Sequence, residues 1–225
     1  QTFQQPFAHG FSELNRFNFG ARTTAQGSGT VGAVNLSGII GGQFQRTNYT
    51  SNGFNLVSGS SSDQENYAMH TFGFTEWSAA FPQHVTLTAG VTVTKNEFGI
   101  RNMLKTNSTN NYSVNNYAVT KRRAFNLEAS PTVSLVKVFD DAFSIYGSLG
   151  TGVTPPSLTS VVNSDNTVNL DLKPEHAVQR EIGSKGALLD RTLSYELALF
   201  STDITDKLVS QKIGTVSSTV NAGKQ

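Results

Sequence analysis

Along much of this chain apolar and polar residues alternate one for one. Between Val85 and Phe98, Leu87, Ala89, Val91 and Val93 fall on one side and Thr86, Thr88, Thr92 and Thr94 on the other. That is the period a pleated strand imposes on its side chains. Arg122 to Val138 repeats it, with Phe125, Leu127, Ala129, Pro131, Val133 and Leu135 against Asn126, Glu128, Ser130, Thr132 and Ser134. Pro131 donates no ladder bond, so a bulge or a missing bond is expected there. Thr192 to Thr202 alternates Leu193, Tyr195, Leu197 and Leu199 with Ser194, Glu196 and Ala198. Weaker alternation predicts strands at Phe11–Arg22, Thr30–Arg46, Tyr67–Ala80, Ala142–Gly150 and Glu175–Ala187. A turn is expected at Thr23–Gly29, a close backbone approach or bulge at Gly41-Gly42, and a last hairpin from Ile204–Val209 and Val216–Gly223 around Gly214.

The connections alternate as well. They are short near 26, 83, 140 and 190, and long over 47–66, 99–121, 152–174 and 205–219. In an antiparallel meander this sorting puts every tight turn on one rim and every long loop on the other. A soluble sandwich has no reason to sort its loops in this way, whereas outer-membrane barrels do. Trp77, Phe81, Phe139, Phe143 and Tyr146 lie near the tight turns, where amphipathic rings would form an interfacial girdle.

Composition sharpens the picture. Hydrophobic residues make up 37% and charged residues 15% of 225, with 15 Phe. Ser, Thr, Asn, Gln and Gly fill the gap, which suits sheets with one wet and one dry face. A net charge of +1 gives no nucleic-acid footprint, and the absence of cysteine removes disulfides and thiolate chemistry. No apolar run approaches the ~18 residues of a membrane helix, but a membrane strand needs only ~9–11 residues, half of them apolar. The chain starts without Met and stops at Asn221-Ala222-Gly223-Lys224-Gln225, which reads as a fragment of a longer protein.

Several stretches carry a family resemblance. They are Thr75-Glu76-Trp77 followed by Phe81 to Val91, Ser130-Pro131, and Ile145 to Gly152 followed by Pro155-Pro156-Ser157-Leu158. Further on come Asn169-Leu170-Asp171-Leu172-Lys173-Pro174-Glu175, Glu181-Ile182-Gly183-Ser184-Lys185, and Asn221-Ala222-Gly223. In this order and spacing the chain resembles the barrel domain of TonB-dependent outer-membrane receptors, well over about 150 residues and in pattern over the first 70. Val153-Thr154, Leu170 and Arg180 depart from the family's usual residues. The resemblance implies an all-β, antiparallel up-and-down transmembrane β-barrel, with about ten strands here of a probable 22. Residues 1–225 would be a partial barrel domain lacking the plug and the C-terminal strands. The implied function is to bind a scarce nutrient outside the cell, most often a ferric siderophore, and to import it with TonB-transduced energy across the outer membrane of a Gram-negative bacterium. Cobalamin, an oligosaccharide, or a passive porin or adhesin role are the alternatives.

Candidate chemistry is sparse. His9, His70, His84 and His176 are scattered and none has a carboxylate at ligand spacing, so no metal site is expected. Asp140-Asp141 reads as a turn that accepts backbone N–H bonds. Glu128 and Glu196 share the polar face, where cross-strand pairs would satisfy them. Nothing resembles a nucleophile elbow or phosphate loop, so no enzyme and no cofactor is predicted. Ligand contact would fall to the long loops, with Tyr49, Tyr112 and Tyr117 as the residues able to stack on or hydrogen-bond a chelate or glycan. Outer-membrane lipid, TonB (through the missing plug) and the nutrient are the expected partners.

Overall fold

The computed structural model describes residues 2–7, 10–55, 61–102, 119–140, 142–161, 169, 171–214 and 216–223. The long strands are β2 (Gly10–Val31), β3 (Val34–Asn55), β4 (Ser61–Phe81), β5 (Val85–Asn102), β7 (Glu128–Val138), β8 (Ser144–Thr154), β9 (Glu175–Leu188) and β10 (Leu193–Thr205). β1 (Thr2–Phe7) and β6 (Val119–Ala124) are shorter. Together these form one antiparallel sheet in the order β1-β2-β3-β4-β5-β7-β8-β9-β10, with β6 also paired to β5. The described connections at 32–33, 82–84 and 189–192 join neighbours, whereas 125–127 links β6 to β7, both of which pair with β5. A separate hairpin, β11 (Leu208–Ile213) and β12 (Val216–Asn221), turns at Gly214, whose φ is +64°. The all-β expectation and the last hairpin therefore hold, although Ile204 belongs to β10 rather than to that hairpin.

The contacts divide the chain into two compact units. One comprises residues 1–21, 43–71 and 95–126, and the other residues 22–42, 72–94 and 127–225.

Three local expectations are corrected. Thr23–Gly29 is strand, and the chain turns instead at Gly32-Ala33, where Gly32 has a φ of +61°. Gly27 and Gly29 have nothing within 4 Å of where a Cβ would lie. They lack side-chain packing, not strand geometry. The expected long loop 47–66 is mostly ladder, since β3 runs to Asn55 and β4 starts at Ser61. Polar residues on both faces leave no apolar period to read, yet the strands still pair. At Pro131 a bulge or a missing bond was expected, and only the bulge is corrected. The β5–β7 register passes through Val91↔Pro131 without a slip, and the β7–β8 ladder simply begins at Thr132↔Gly150. The extra residue lies at Phe125–Leu127. Between the pairs Thr94↔Glu128 and Glu97↔Ala124, β5 advances three residues while the facing strand advances four. A bulge of this kind reverses the facing of the residues beyond it. Phe125 is accordingly 5% exposed and Leu127 67%, so the two do not share a face. At Gly41, by contrast, the close approach is present: a Cβ would lie 2.7 Å from the Phe74 ring.

Candidate functional site

The registers of β5, β7, β8, β9 and β10 fix which residues share a face, because directly opposed residues point the same way. One row reads Leu87–Leu135–Gly147–Ile182–Leu199 and the next Val85–Lys137–Ile145–Ser184–Leu197. This face is apolar and bare. Leu197 is 67% and Leu199 72% exposed, with Leu135, Ile145 and Ile182 also exposed. The opposite face carries Thr86, Thr88, Glu128, Ser130, Ser134, Ser148, Glu181, Lys185 and Glu196. A water-soluble sheet would hide its apolar face. Here the polar face is the one furnished with partners.

The same rows give the strand inclination. On the row shared by Val85 and Ser184, the turn residue Gln83 lies two residues beyond Val85, whereas Asp190 lies six beyond Ser184. A stagger of about four residues, roughly 13 Å, accumulates over four inter-strand steps, roughly 19 Å. The tilt is therefore about 35°, at the lower edge of the ~35–45° found in membrane barrels.

On the polar face Tyr146 lies across Gly183, where a Cβ would collide with its ring. Its hydroxyl donates to Glu181 Oε1 at 2.8 Å, and Lys185, paired in register with Glu196, stands 6.0 Å from the ring centroid. Tyr146 thus leaves the interfacial girdle in which its position had placed it. Trp77, Phe81, Phe139 and Phe143 are exposed, and the last two rings stack at 5.2 Å. Lys137, on the apolar face, reaches the Gln83 carbonyl. Glu128 meets His176 Nε2 at 3.2 Å. Arg180 and Asp203 pair at 2.6 Å.

Described residues of the 155–174 connection are tied to the β11–β12 hairpin. A helical turn, α1 (Leu158–Val161), ends in Val161, which is 1% exposed, and Leu172 is buried as well. Asn221 makes a peptide-like pair with Lys173. Its Oδ1 accepts from the Lys173 N–H at 2.8 Å, and its Nδ2 donates to the Lys173 carbonyl at 3.0 Å and to Asp206 O at 2.7 Å. Asn169 Nδ2 donates to Thr219 O at 3.1 Å. The two motifs quoted around Lys173 and Asn221 thus meet, which their 48-residue separation conceals.

In the other unit, Glu97 is the centre of a charged cluster. It accepts from Arg122 Nη2 at 2.5 Å and from the Tyr67 hydroxyl at 2.7 Å. Arg46 lies 4.5 Å from the Tyr67 ring centroid. Val85 to Lys95 already supplies the ~9–11 residues a membrane strand needs, so Glu97 lies past that span. The Arg122 guanidinium, against the opposing effect of burial, holds the Glu97 carboxyl below its ordinary range. Burial and the Glu97 carboxylate raise the Tyr67 hydroxyl. Arg101 and Glu65 pair at 3.3 Å. Phe98 and Phe125 meet edge to face at 5.7 Å, and His70 Nδ1 lies 2.5 Å from Asn96 Oδ1.

Of the ligand-contact candidates, Tyr49 sits within β3, not in a loop, with the Arg16 guanidinium 5.4 Å from its ring centroid. Tyr112 and Tyr117 lie outside the described residues. The Glu97 cluster escaped sequence reading because its members come from four strands. The one available signal was the Glu-x-Gly pattern at Glu97–Gly99. Among the described residues no helix is long and apolar enough to cross a membrane, which leaves strands untouched by that criterion, and no His, Asp and Glu group has the arrangement of a metal site.

The model of the family described as "TonB dependent receptor-like, beta-barrel" matches residues 1–225. The chain belongs to that family. Solved receptors share the fold at low identity. The ferric-catecholate import receptor Fiu of E. coli K12 superposes with a TM-score of 0.69 at 15% identity, over 95% of this chain and 34% of that one. The siderophore receptor PiuA of Acinetobacter baumannii gives 0.71 at 17%, over 96% and 35%. The hemophore receptor HasR of Serratia marcescens, solved with its hemophore HasA and heme, gives 0.65 at 15%, over 96% and 38%. The chain spans about a third of the length of the solved receptors it matches. Membrane barrels set an apolar face outward and a polar face inward, the same division of faces that these strands carry.

Proposed function

We propose that this chain is part of the barrel wall of an outer-membrane transport receptor in a Gram-negative bacterium. The receptor binds a scarce nutrient, foremost a ferric siderophore, outside the cell and imports it with energy delivered by TonB. Residues 1–225 supply strands of the barrel; a plug domain and further strands come from elsewhere in the protein. The observation that carries the reading is the register-locked pair of faces with its membrane-barrel stagger, in a chain that matches the family along its length. The protein acts by binding and passage, without catalysis. Tyr49, Tyr112 and Tyr117 are proposed as cargo contacts. The hemophore-bound relative favours keeping a second cargo class in view, since that receptor was solved in complex with a hemophore and heme.

The test is uptake by the intact receptor. A strain lacking the whole gene should lose accumulation of radiolabelled iron from one ferric siderophore in a panel, and disabling TonB should abolish the same uptake. TonB-independent uptake of many small solutes would replace this reading with a passive porin. TonB-dependent uptake of cobalamin, heme or an oligosaccharide alone would keep the mechanism and change the cargo.

A further inference from the structure

β8 is paired along its whole length to β9 but only part of the way to β7. The β8–β9 ladder runs from Ser144↔Lys185 to Thr154↔Glu175, whereas the β7–β8 ladder stops at Thr132↔Gly150. The next residue of β7 is Pro131, which has no N–H to give. Beyond it, Glu128–Pro131 and Thr151–Thr154 flank an open seam at the end of the sheet away from the Asp140 turn. Thr151 Oγ1 approaches the Pro131 carbonyl at 3.4 Å. A polar cavity of about 360 Å³ lies beside the seam, with Thr132, Thr151, Gly152, Ala177 and Gln179 in its lining. It gives water a place against unpaired backbone and gives the strands room to part.

One side-chain pair spans this seam. His176 Nε2 lies 3.2 Å from Glu128 Oε2, and β8 stands between their two strands. The pair therefore ties β7 to β9 across the strand that the ladder leaves loose. The side chains are 41% and 26% exposed, so solvent protons reach them. Opposite His176 stand Val153 on β8 and Thr205 on β10, both uncharged. Asp203, two residues before Thr205, is held by Arg180 at 2.6 Å. Glu175, next to His176 in β9, accepts from the Leu208 N–H. Asp206 and Lys207 lie past the β10 ladder, where their carbonyls accept from Asn221 and Ala222. Glu128 is the carboxylate set against His176.

We propose that His176 and Glu128 form a proton-operated latch on the β7–β8 seam. Histidine changes charge between about pH 5 and 8. As imidazolium it donates a charge-assisted bond to Glu128 and holds the seam. As neutral imidazole it keeps an uncharged bond at most, and the seam loosens. Closure is thus present at low pH and lost as pH rises. A partly exposed ion pair shifts such an equilibrium by about two- to fivefold. On the function proposed above, this end of the sheet meets the medium, so the latch answers external acidity; that last step alone rests on that reading.

The chain has no cysteine of its own, which suits a spin-label test on the full receptor in nanodiscs, with cysteines elsewhere replaced. Ala129→Cys and Thr154→Cys place labels on exposed positions either side of the seam. Dipolar broadening between the labels gives the ratio of closed to open seam at pH 5 and at pH 8. The ratio should fall about two- to fivefold from the lower pH to the higher. His176→Gln and Glu128→Gln should each remove that step and leave the ratio near its open value. His176→Lys, a cation at both pH values, should hold the seam closed at both. No step in the labelled receptor with His176 and Glu128 intact overturns the latch, as does a step that survives in His176→Gln or an equal ratio in the Lys and Gln variants. TonB-dependent uptake in a receptor without the step would remove the latch and spare the proposed function. The step in a receptor without such uptake would do the reverse.

Discussion

Replacing Asn221 by Ala tests whether Lys173 is held by the β11–β12 hairpin. The side chain makes three hydrogen bonds, two to Lys173 and one to the carbonyl of Asp206. The bond to Asp206 is partly buried and the two to Lys173 are exposed. Counting about 1 kcal/mol for the first and roughly half that for each of the others, the loss is about 2 kcal/mol. That corresponds to a change of roughly 30-fold in the local opening equilibrium. Barrel strands have no part in these bonds, so the effect should be confined. Amide hydrogen exchange on the full receptor is the assay: protection at Leu172 and Lys173 should fall by about that factor while β7, β8 and β9 keep theirs. Asn221→Asp retains the acceptor for the Lys173 N–H but turns a carboxylate toward two carbonyls, and should cost at least as much as Ala. Less than a threefold change at Lys173 would refute the clasp. A uniform loss across the strands would show that Asn221 supports the wall instead.

Gly183→Ala should force Tyr146 off Glu181, since the new Cβ meets the ring. A loss of about 1–3 kcal/mol is expected in denaturant unfolding, and it should shrink in a Tyr146→Ala background. Phe125→Ala should cost about 3–5 kcal/mol, the range for a buried Phe, and Leu127→Ala well under half of that; equal costs would argue against the bulge between them. Because Glu97 is held below its ordinary value of 4.5, its stabilising contribution is present above that pH and lost as pH falls through the depressed folded value. Glu97→Gln should therefore flatten the acid limb of a stability–pH curve, and an unchanged limb counts against the pair with Arg122. The 1–225 chain expressed alone should aggregate unless detergent is present, because its apolar face and its end strands are uncovered; a soluble, cooperatively folding monomer is the contrary outcome.

Where one face meets lipid and the other water, the sequence writes the strand out in full. Leu87 to Val93 and Leu193 to Leu199 could be placed residue by residue for that reason. The polar stretches of β3 past Thr47 and of β4 before Tyr67 could not, because polar residues on both faces impose no apolar pattern while the strands still pair. The bulge at Phe125–Leu127 was hidden for a related reason: Phe and Leu are both apolar, so composition is silent when facing reverses. Proline drew the expectation to Pro131, but its missing donor falls where the β8 ladder has not yet begun. The site fared worse than the fold. Glu97, Tyr67, Arg122 and Arg46 lie on four strands and meet only through register, and the Asn221–Lys173 pair joins segments 48 residues apart.

The Glu-x-Gly pattern shows why a recurrent motif in this wall need not mark cargo. It occurs at Glu181-Ile182-Gly183 followed by Lys185, and again at Glu97-Phe98-Gly99 followed by Arg101. In both places a tyrosine from the preceding long strand lies over the glycine and donates its hydroxyl to the glutamate, Tyr146 to Glu181 and Tyr67 to Glu97. The first lies in residues 127–225 and the second in residues 95–126, which belong to different units. A residue set selected for cargo would be gathered in one place. A set that repairs a glycine gap in a strand, by covering bare backbone with a neighbouring ring and fixing that ring with one hydrogen bond, works in any strand. The pattern is therefore a device of the sheet.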